Sequence, residues 1–121
     1  MPIAAARLDP VFRALADPTR RALLRRLAAG PASVGELAEP FDMALPSLLQ
    51  HLQVLEDGGL VRSEKSGRIR TFRGVPEPLQ AAEDWMSGVR NLWERRLDQL
   101  DAYLLTMKPV ARTSRKKAKK P

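Results

Sequence analysis

At 121 residues, 44% hydrophobic and 29% charged, the chain amounts to about one domain with enough apolar content to bury a core. It has no cysteine and one histidine. That excludes disulfides, thiolate metal sites and thiol nucleophiles, and it leaves little for Ser/His/Asp catalysis or a His-rich metal site. No apolar run is long enough to span a bilayer, and no basic-then-apolar leader opens the chain, so neither membrane insertion nor secretion is expected.

The net charge of +7 is unevenly placed. Lys108 to Pro121 hold seven Lys or Arg and no acid, so residues 1–107 are neutral overall, with fourteen basic and fourteen acidic side chains. Within that body, residues 1–30 carry six Arg against Asp9 and Asp17. Residues 31–58 carry five acids and no Lys or Arg. Residues 59–76 set Arg62, Lys65, Arg68, Arg70 and Arg73 against Glu64 alone, and 77–107 are acidic again. Such clustering marks either an anion-binding surface or a solvated face.

Asp9-Pro10 and Asp17-Pro18 each set a capping carboxylate before a proline suited to the first helical position. They predict helices over about 10–16 and 18–29, the second with Leu23, Leu24, Leu27 and Ala28 on one face. Gly30-Pro31 ends it. Ser33-Val34-Gly35-Glu36 fits a capping box opening a short third helix, which Pro40 stops. A fourth helix over 45–57 carries Leu45, Leu48, Leu52 and Leu55 as an apolar stripe and ends at Gly58-Gly59. Leu60 to Arg73 reads as a hairpin turning at Lys65-Ser66-Gly67-Arg68. A long helix over about 78–107 carries Leu79, Ala82, Met86, Val89, Trp93, Leu97, Leu100, Leu104 and Met107. The basic segment 108–121 is expected to be a disordered tail.

The expected fold class is therefore mainly α with a small β-hairpin (α+β): five helices plus a two-stranded wing in winged helix-turn-helix order. Residues 1–107 are expected to form one DNA-binding and dimerisation domain. The helix after the turn would lie in the DNA major groove and the wing along the backbone.

Phe12-Arg13-Ala14-Leu15-Ala16-Asp17-Pro18-Thr19-Arg20, Val34-Gly35-Glu36-Leu37-Ala38 and His51 through Val61 (HLQVLEDGGLV) together resemble the ArsR (arsenic-repressor) family of bacterial transcription regulators. The resemblance covers about residues 8–75. The Met43-Ala44-Leu45-Pro46 run and the tryptophans of the last helix are similar to the branch without metal sites. It implies a cytoplasmic, nucleoid-associated homodimer, usually a repressor, that binds double-stranded DNA through a two-fold symmetric operator. It also implies a dimer interface built by the first and last helices, here Leu8, Phe12, Leu15, Trp93, Leu97, Leu100 and Leu104. Where the family's metal sensors carry two cysteines, this chain has Ser33 and Gly35, and its last helix has no histidine, so neither metal nor cofactor is expected. The family often has polar residues where this chain has Ala44 and Leu49.

Helical geometry turns Pro46, Gln50, Gln53 and Val54 away from the leucine stripe, with Ser47 on one flank and Leu49 on the other. Gln can pair bidentately with adenine, Ser can serve base or phosphate, and Leu49 or Val54 could meet a thymine methyl. His51 sits at the stripe's edge, either as a half-buried ring bonded to backbone or phosphate, or as a pH sensor or base reader. Lys65, Arg68 and Arg70 would hold phosphates from the wing. Arg20, Arg21, Arg25 and Arg26 are expected to put one or two side chains on acids of the third helix or of a partner. Trp85 and Trp93 read as core or dimer contacts, with an effector pocket as the other use. Glu94, Asp98 and Asp101 read as a solvated face, and no enzymatic constellation appears. Two other functions remain open: a nucleoid-type protein binding DNA without sequence choice, and a winged-helix protein-interaction module.

Overall fold

The fold is that of a computed structural model, which describes residues 2–107 and the side chains from residue 8 onward. The tail 108–121 lies outside the described residues. Five helices and three strands follow one another as α1 (Pro2–Leu15), α2 (Pro18–Leu27), β1 (Ala32–Ser33), α3 (Val34–Ala38), α4 (Leu45–Asp57), β2 (Val61–Ser66), β3 (Ile69–Gly74) and α5 (Glu77–Met107). The expected order holds, with one addition. The two-stranded wing is joined at its base by a short third strand: Ala32 and Ser33 pair antiparallel with Phe72 and Thr71, giving a sheet in the order β1-β3-β2.

Local chemistry explains most boundaries. Asp17 caps α2 by accepting the Arg20 amide at 3.0 Å, and Pro18 stands where a missing N–H is harmless. Ser33 and Glu36 form the reciprocal capping box, with the Glu36 amide donating to Ser33 Oγ at 3.2 Å and the Ser33 amide to Glu36 Oε1 at 2.8 Å. At the end of α4 the Leu60 amide donates to the Leu55 carbonyl and the Gly59 amide to that of Glu56. Gly59 takes the left-handed φ of +75° that this pattern needs. Leu60, just past that turn, is fully buried and so anchors it. In the hairpin, Ser66 pairs with Ile69, leaving Gly67 and Arg68 as a two-residue loop. Positive φ at Gly67 but not at Arg68 is the sign pattern of a type II′ turn.

α1 departs from expectation. Pro10 does not open it but lies inside it, leaving the carbonyl one turn earlier without its donor. Asp9 is therefore not a cap.

The chain divides into two compact units, one through Trp85 and one from Met86. The core of the first joins Val11 and Ala14 of α1, Leu23 and Leu27 of α2, Ala32 of β1, Leu37 of α3, Leu48, Leu52 and Leu55 of α4, and Leu60, Val61, Phe72 and Ala82. Each fully buried leucine contributes about 1.5–3 kcal/mol. Gly58 is confined by a backbone approach, since a Cβ there would lie 3.0 Å from the Pro10 carbonyl oxygen. In the second unit, α5 continues to Met107 with Leu92, Trp93, Leu97, Leu100, Tyr103, Leu104 and Leu105 all half-exposed or more. No helix among the described residues is long and apolar enough to cross a membrane.

Candidate nucleic-acid interface

The leucine stripe orients α4. Leu48, Leu52 and Leu55 are buried, so the opposite side must face out, and Pro46, Ser47, Leu49, Gln50 and Gln53 are all exposed. Two expectations need correcting. Leu45, in the first turn of α4, does not join the stripe but is 51% exposed. Val54 does not face out; it is half-buried and packs against the core. Ala44 occupies the N-cap with no side-chain bond to offer, so the first amides of α4 lack the usual cap. Gln53 donates to Asp57 Oδ1 at 2.9 Å, one turn along, whereas Gln50 makes no hydrogen bond among the described residues.

His51 is half-buried, as expected of a ring at the stripe's edge, and its partners among the described residues are side chains rather than backbone. Its Nδ1 lies 3.1 Å from Arg20 Nη1 and 3.8 Å from Asp17 Oδ2. Two arginines of α2 bond backbone carbonyls of α1. Arg20 Nε and Nη2 donate to the carbonyls of Ala14 and Arg13 at 2.9 and 3.0 Å, and Arg21 Nη1 donates to that of Leu15 at 2.9 Å. The last carbonyls of α1 have no intrahelical donors. Two consecutive guanidinium groups serve those of Arg13, Ala14 and Leu15, the first of which also accepts the Ala16 amide at 3.2 Å. Arg26 acts on an acid of α3 through the field it exerts on Glu36.

The acids near these bonds titrate accordingly. The Arg20 amide, with lesser attraction from His51 and the Arg20 side chain, holds the Asp17 carboxyl below its ordinary 3.8. The Ser33 amide and then the Ser33 hydroxyl hold Glu36 below its ordinary 4.5.

Lys65, Arg68 and Arg70 are exposed on the wing, as expected. Arg70 is also tied inward: its Nη1 donates to Ser63 Oγ at 2.9 Å, and that hydroxyl donates to Glu56 Oε2 at 3.1 Å. This relay joins the wing to the last turn of α4. The strand register adds two residues that the sequence reading left aside. Arg62 stands directly opposite Arg73, as Lys65 does opposite Arg70. Like charges so placed repel, and a polyanion laid along the ribbon relieves that repulsion. The signal was present in the sequence, because fixing the turn at Gly67-Arg68 fixes both pairs. No Lys or Arg lies between Met43 and Leu55, so the cationic ribbon flanks an uncharged helix face.

Of the expected dimer contacts, Leu8, Phe12 and Leu15 pack in part against the first unit's own core, and the Phe12 ring meets Trp85 edge-on at 5.8 Å. Trp93, Leu97, Leu100 and Leu104 are exposed on the second unit.

Residues 15–64 match the family model of a helix-turn-helix domain. The chain is 39% identical over 89 residues to the HTH-type transcriptional regulator Rv2034 of Mycobacterium tuberculosis, a match covering 74% of this chain and 80% of that one. It is 32% identical over 79 residues to the transcriptional repressor SdpR of Bacillus subtilis, covering 65% of this chain and 88% of that one. Among solved structures, a crystal structure of an ArsR family transcriptional regulator superposes with a TM-score of 0.71 and 53% identity, covering 74% of this chain and 93% of that chain. The solution structure of a homodimeric winged helix-turn-helix DNA-binding domain from Mycobacterium bovis superposes with a TM-score of 0.57 and 26% identity, covering 78% and 85%. On this order of elements and these likenesses, the chain belongs to the ArsR family of winged helix-turn-helix transcriptional regulators.

Proposed function

We infer that the chain is a DNA-binding transcriptional regulator, not an enzyme, and that it acts as a sequence-specific repressor on a two-fold symmetric operator. The observation that carries this reading is the exposed, uncharged face of α4, held outward by three buried leucines and flanked by a ribbon that sets Arg62, Lys65, Arg68, Arg70 and Arg73 against Glu64. The helix reads base edges through Gln50, with Pro46, Ser47, His51 and Gln53 around it, and the wing holds phosphates through Lys65, Arg68 and Arg70. Two copies present two such helices about one DNA turn apart. The exposed apolar side of α5, with Leu8, Phe12 and Leu15, supplies the contact between copies, and the homodimeric relative supports that assembly. The working place is the bacterial cytoplasm, on the nucleoid.

Capture of genomic DNA by the purified protein, followed by footprinting, tests this. A protected inverted repeat supports the reading, whereas uniform protection of every duplex sinks sequence choice. On the captured site, Arg68→Ala is expected to weaken binding to all sequences and lower the salt slope by about one. Gln50→Ala is expected to relax preference at one base pair, by about 1–3 kcal/mol.

A further inference from the structure

We propose that Arg20 is a positioning residue for the DNA-reading helix: its guanidinium clamps α4 to the α1–α2 elbow and fixes the tautomer of His51. The proposal rests on the DNA-binding reading of α4 but has a test that does not depend on it.

The geometry is unusually complete for one side chain. Arg20 sits on α2, one turn past the Asp17 cap that orders its backbone. Its Nε and Nη2 hold two of the terminal carbonyls of α1, and its Nη1 reaches His51, thirty-one residues away on α4. Three helices therefore meet on one planar group. A guanidinium is rigid and carries only donors, so its bonds fix directions as well as distances.

The consequence for His51 follows from valence. Arg20 has no lone pair to offer, so Nδ1 must accept, and the ring proton then resides on Nε2. The Asp17 carboxylate at 3.8 Å would instead need a proton on Nδ1. The two contacts are alternatives, and the 3.1 Å bond to Arg20 is the shorter. Nε2 makes no hydrogen bond among the described residues. The ring thus serves two purposes: one nitrogen belongs to the frame, and the other is a fixed N–H available to an acceptor such as a phosphate oxygen. Arg20 itself is committed to protein partners and acts on DNA only through α4.

The chain's single histidine makes the test direct, because nitrogen-15 spectra report one ring. In the free protein, in buffer basic enough to keep imidazole neutral, Nδ1 is expected to read as an unprotonated accepting nitrogen, with no exchange between tautomers. Arg20→Met removes every donor and is expected to let the tautomers average. If that variant does not fold, Arg20→Lys serves the same purpose, since one ammonium cannot hold two carbonyls and the ring from a single plane. A ring spectrum unchanged by the substitution overturns the proposal, whatever the protein does with DNA.

On a duplex taken from captured genomic fragments, Arg20→Met is expected to lower affinity about tenfold, the scale of one charge-assisted hydrogen bond. The slope of affinity against salt should stay unchanged. His51→Leu combined with Arg20→Met should weaken binding no more than His51→Leu alone. A slope that falls by about one would place Arg20 on a phosphate directly and overturn the proposal. So would additive losses. If the native protein ignores every duplex, the regulator reading fails, while the ring spectrum still decides the role of Arg20.

Discussion

α4 and the part of α5 beyond Trp85 carry leucines at the same helical spacing and use them oppositely. Leu48, Leu52 and Leu55 are at most 1% exposed, whereas Leu97, Leu100 and Leu104 are about half exposed. Period alone states that residues share a face; it says nothing about what covers that face. In α4 the cover comes from the same chain, through α1, α2, the sheet and the residues around them. In α5 the apolar side is offered to something else, which the proposed function identifies as a second copy.

The strongest way to break this comparison is to shorten one leucine on each helix. Leu52→Ala is expected to cost about 2–5 kcal/mol of unfolding free energy, independent of protein concentration. Leu97→Ala is expected to leave folding of the first unit within about 0.5 kcal/mol in dilute solution, while weakening self-association. Its effect on the melting temperature should then grow with concentration, because assembly feeds back on stability by mass action. Urea titration and sedimentation velocity on both variants measure this. An equal, concentration-independent loss in the two would erase the distinction.

Glycines sharpen the comparison at a smaller scale. Gly58→Ala puts a methyl against the Pro10 carbonyl at 3.0 Å, where the obstacle is backbone and not a pliable side chain. It is expected to destabilise by about 1–3 kcal/mol, the range for an overpacked site. Gly88→Ala, inside α5, meets nothing within 4 Å and is expected to stabilise that helix by up to about 1 kcal/mol. Thermal unfolding of both variants should move in opposite directions, and a loss at both positions would mean that α5 is more confined than it stands here.

The smallest effect is on pH dependence. Asp17 and Glu36 both titrate below their ordinary values in the folded protein, so each favours the fold most when ionised. That contribution is complete above about pH 4.5 and is lost as pH falls through the depressed folded values. Asp17→Asn and Glu36→Gln should each flatten the acid limb of stability against pH and leave the neutral limb unchanged. Acid titration of the native protein and the two variants checks the sign.

Much of the fold was legible because it is punctuated locally. Asp17-Pro18, the Ser33–Glu36 box and Gly58-Gly59 each set a boundary with chemistry that lies within a few residues, and all three hold. What escaped was nonlocal. β1 is two residues long and gains its identity only from Phe72 and Thr71, some forty positions later, so no period could reveal it. Pro10 misled because a proline that reads as a helix start was tolerated inside one. The solvent-facing side of α4 followed from leucine spacing, but Leu45 and Val54 did not: one is half exposed and the other packs against the core. Nothing in the spacing of Arg20 and His51 announces their bond. One or two arginines of α2 were matched to acids by charge, whereas Arg20 and Arg21 reach the carbonyls at the end of α1.

The separation of an uncharged face, residues 46–53 of α4, from a charged ribbon has a consequence for how the protein, on the proposed function, tells one site from another. On that proposed function, added electrolyte competes with the ribbon's grip on phosphates, which operator and bulk DNA would share alike, and leaves the glutamine side of α4 almost untouched. Selectivity, expressed as the ratio of the two affinities, should therefore hold nearly constant while both decline together. A cell could loosen or tighten this protein's hold through its ionic state without altering which address it prefers.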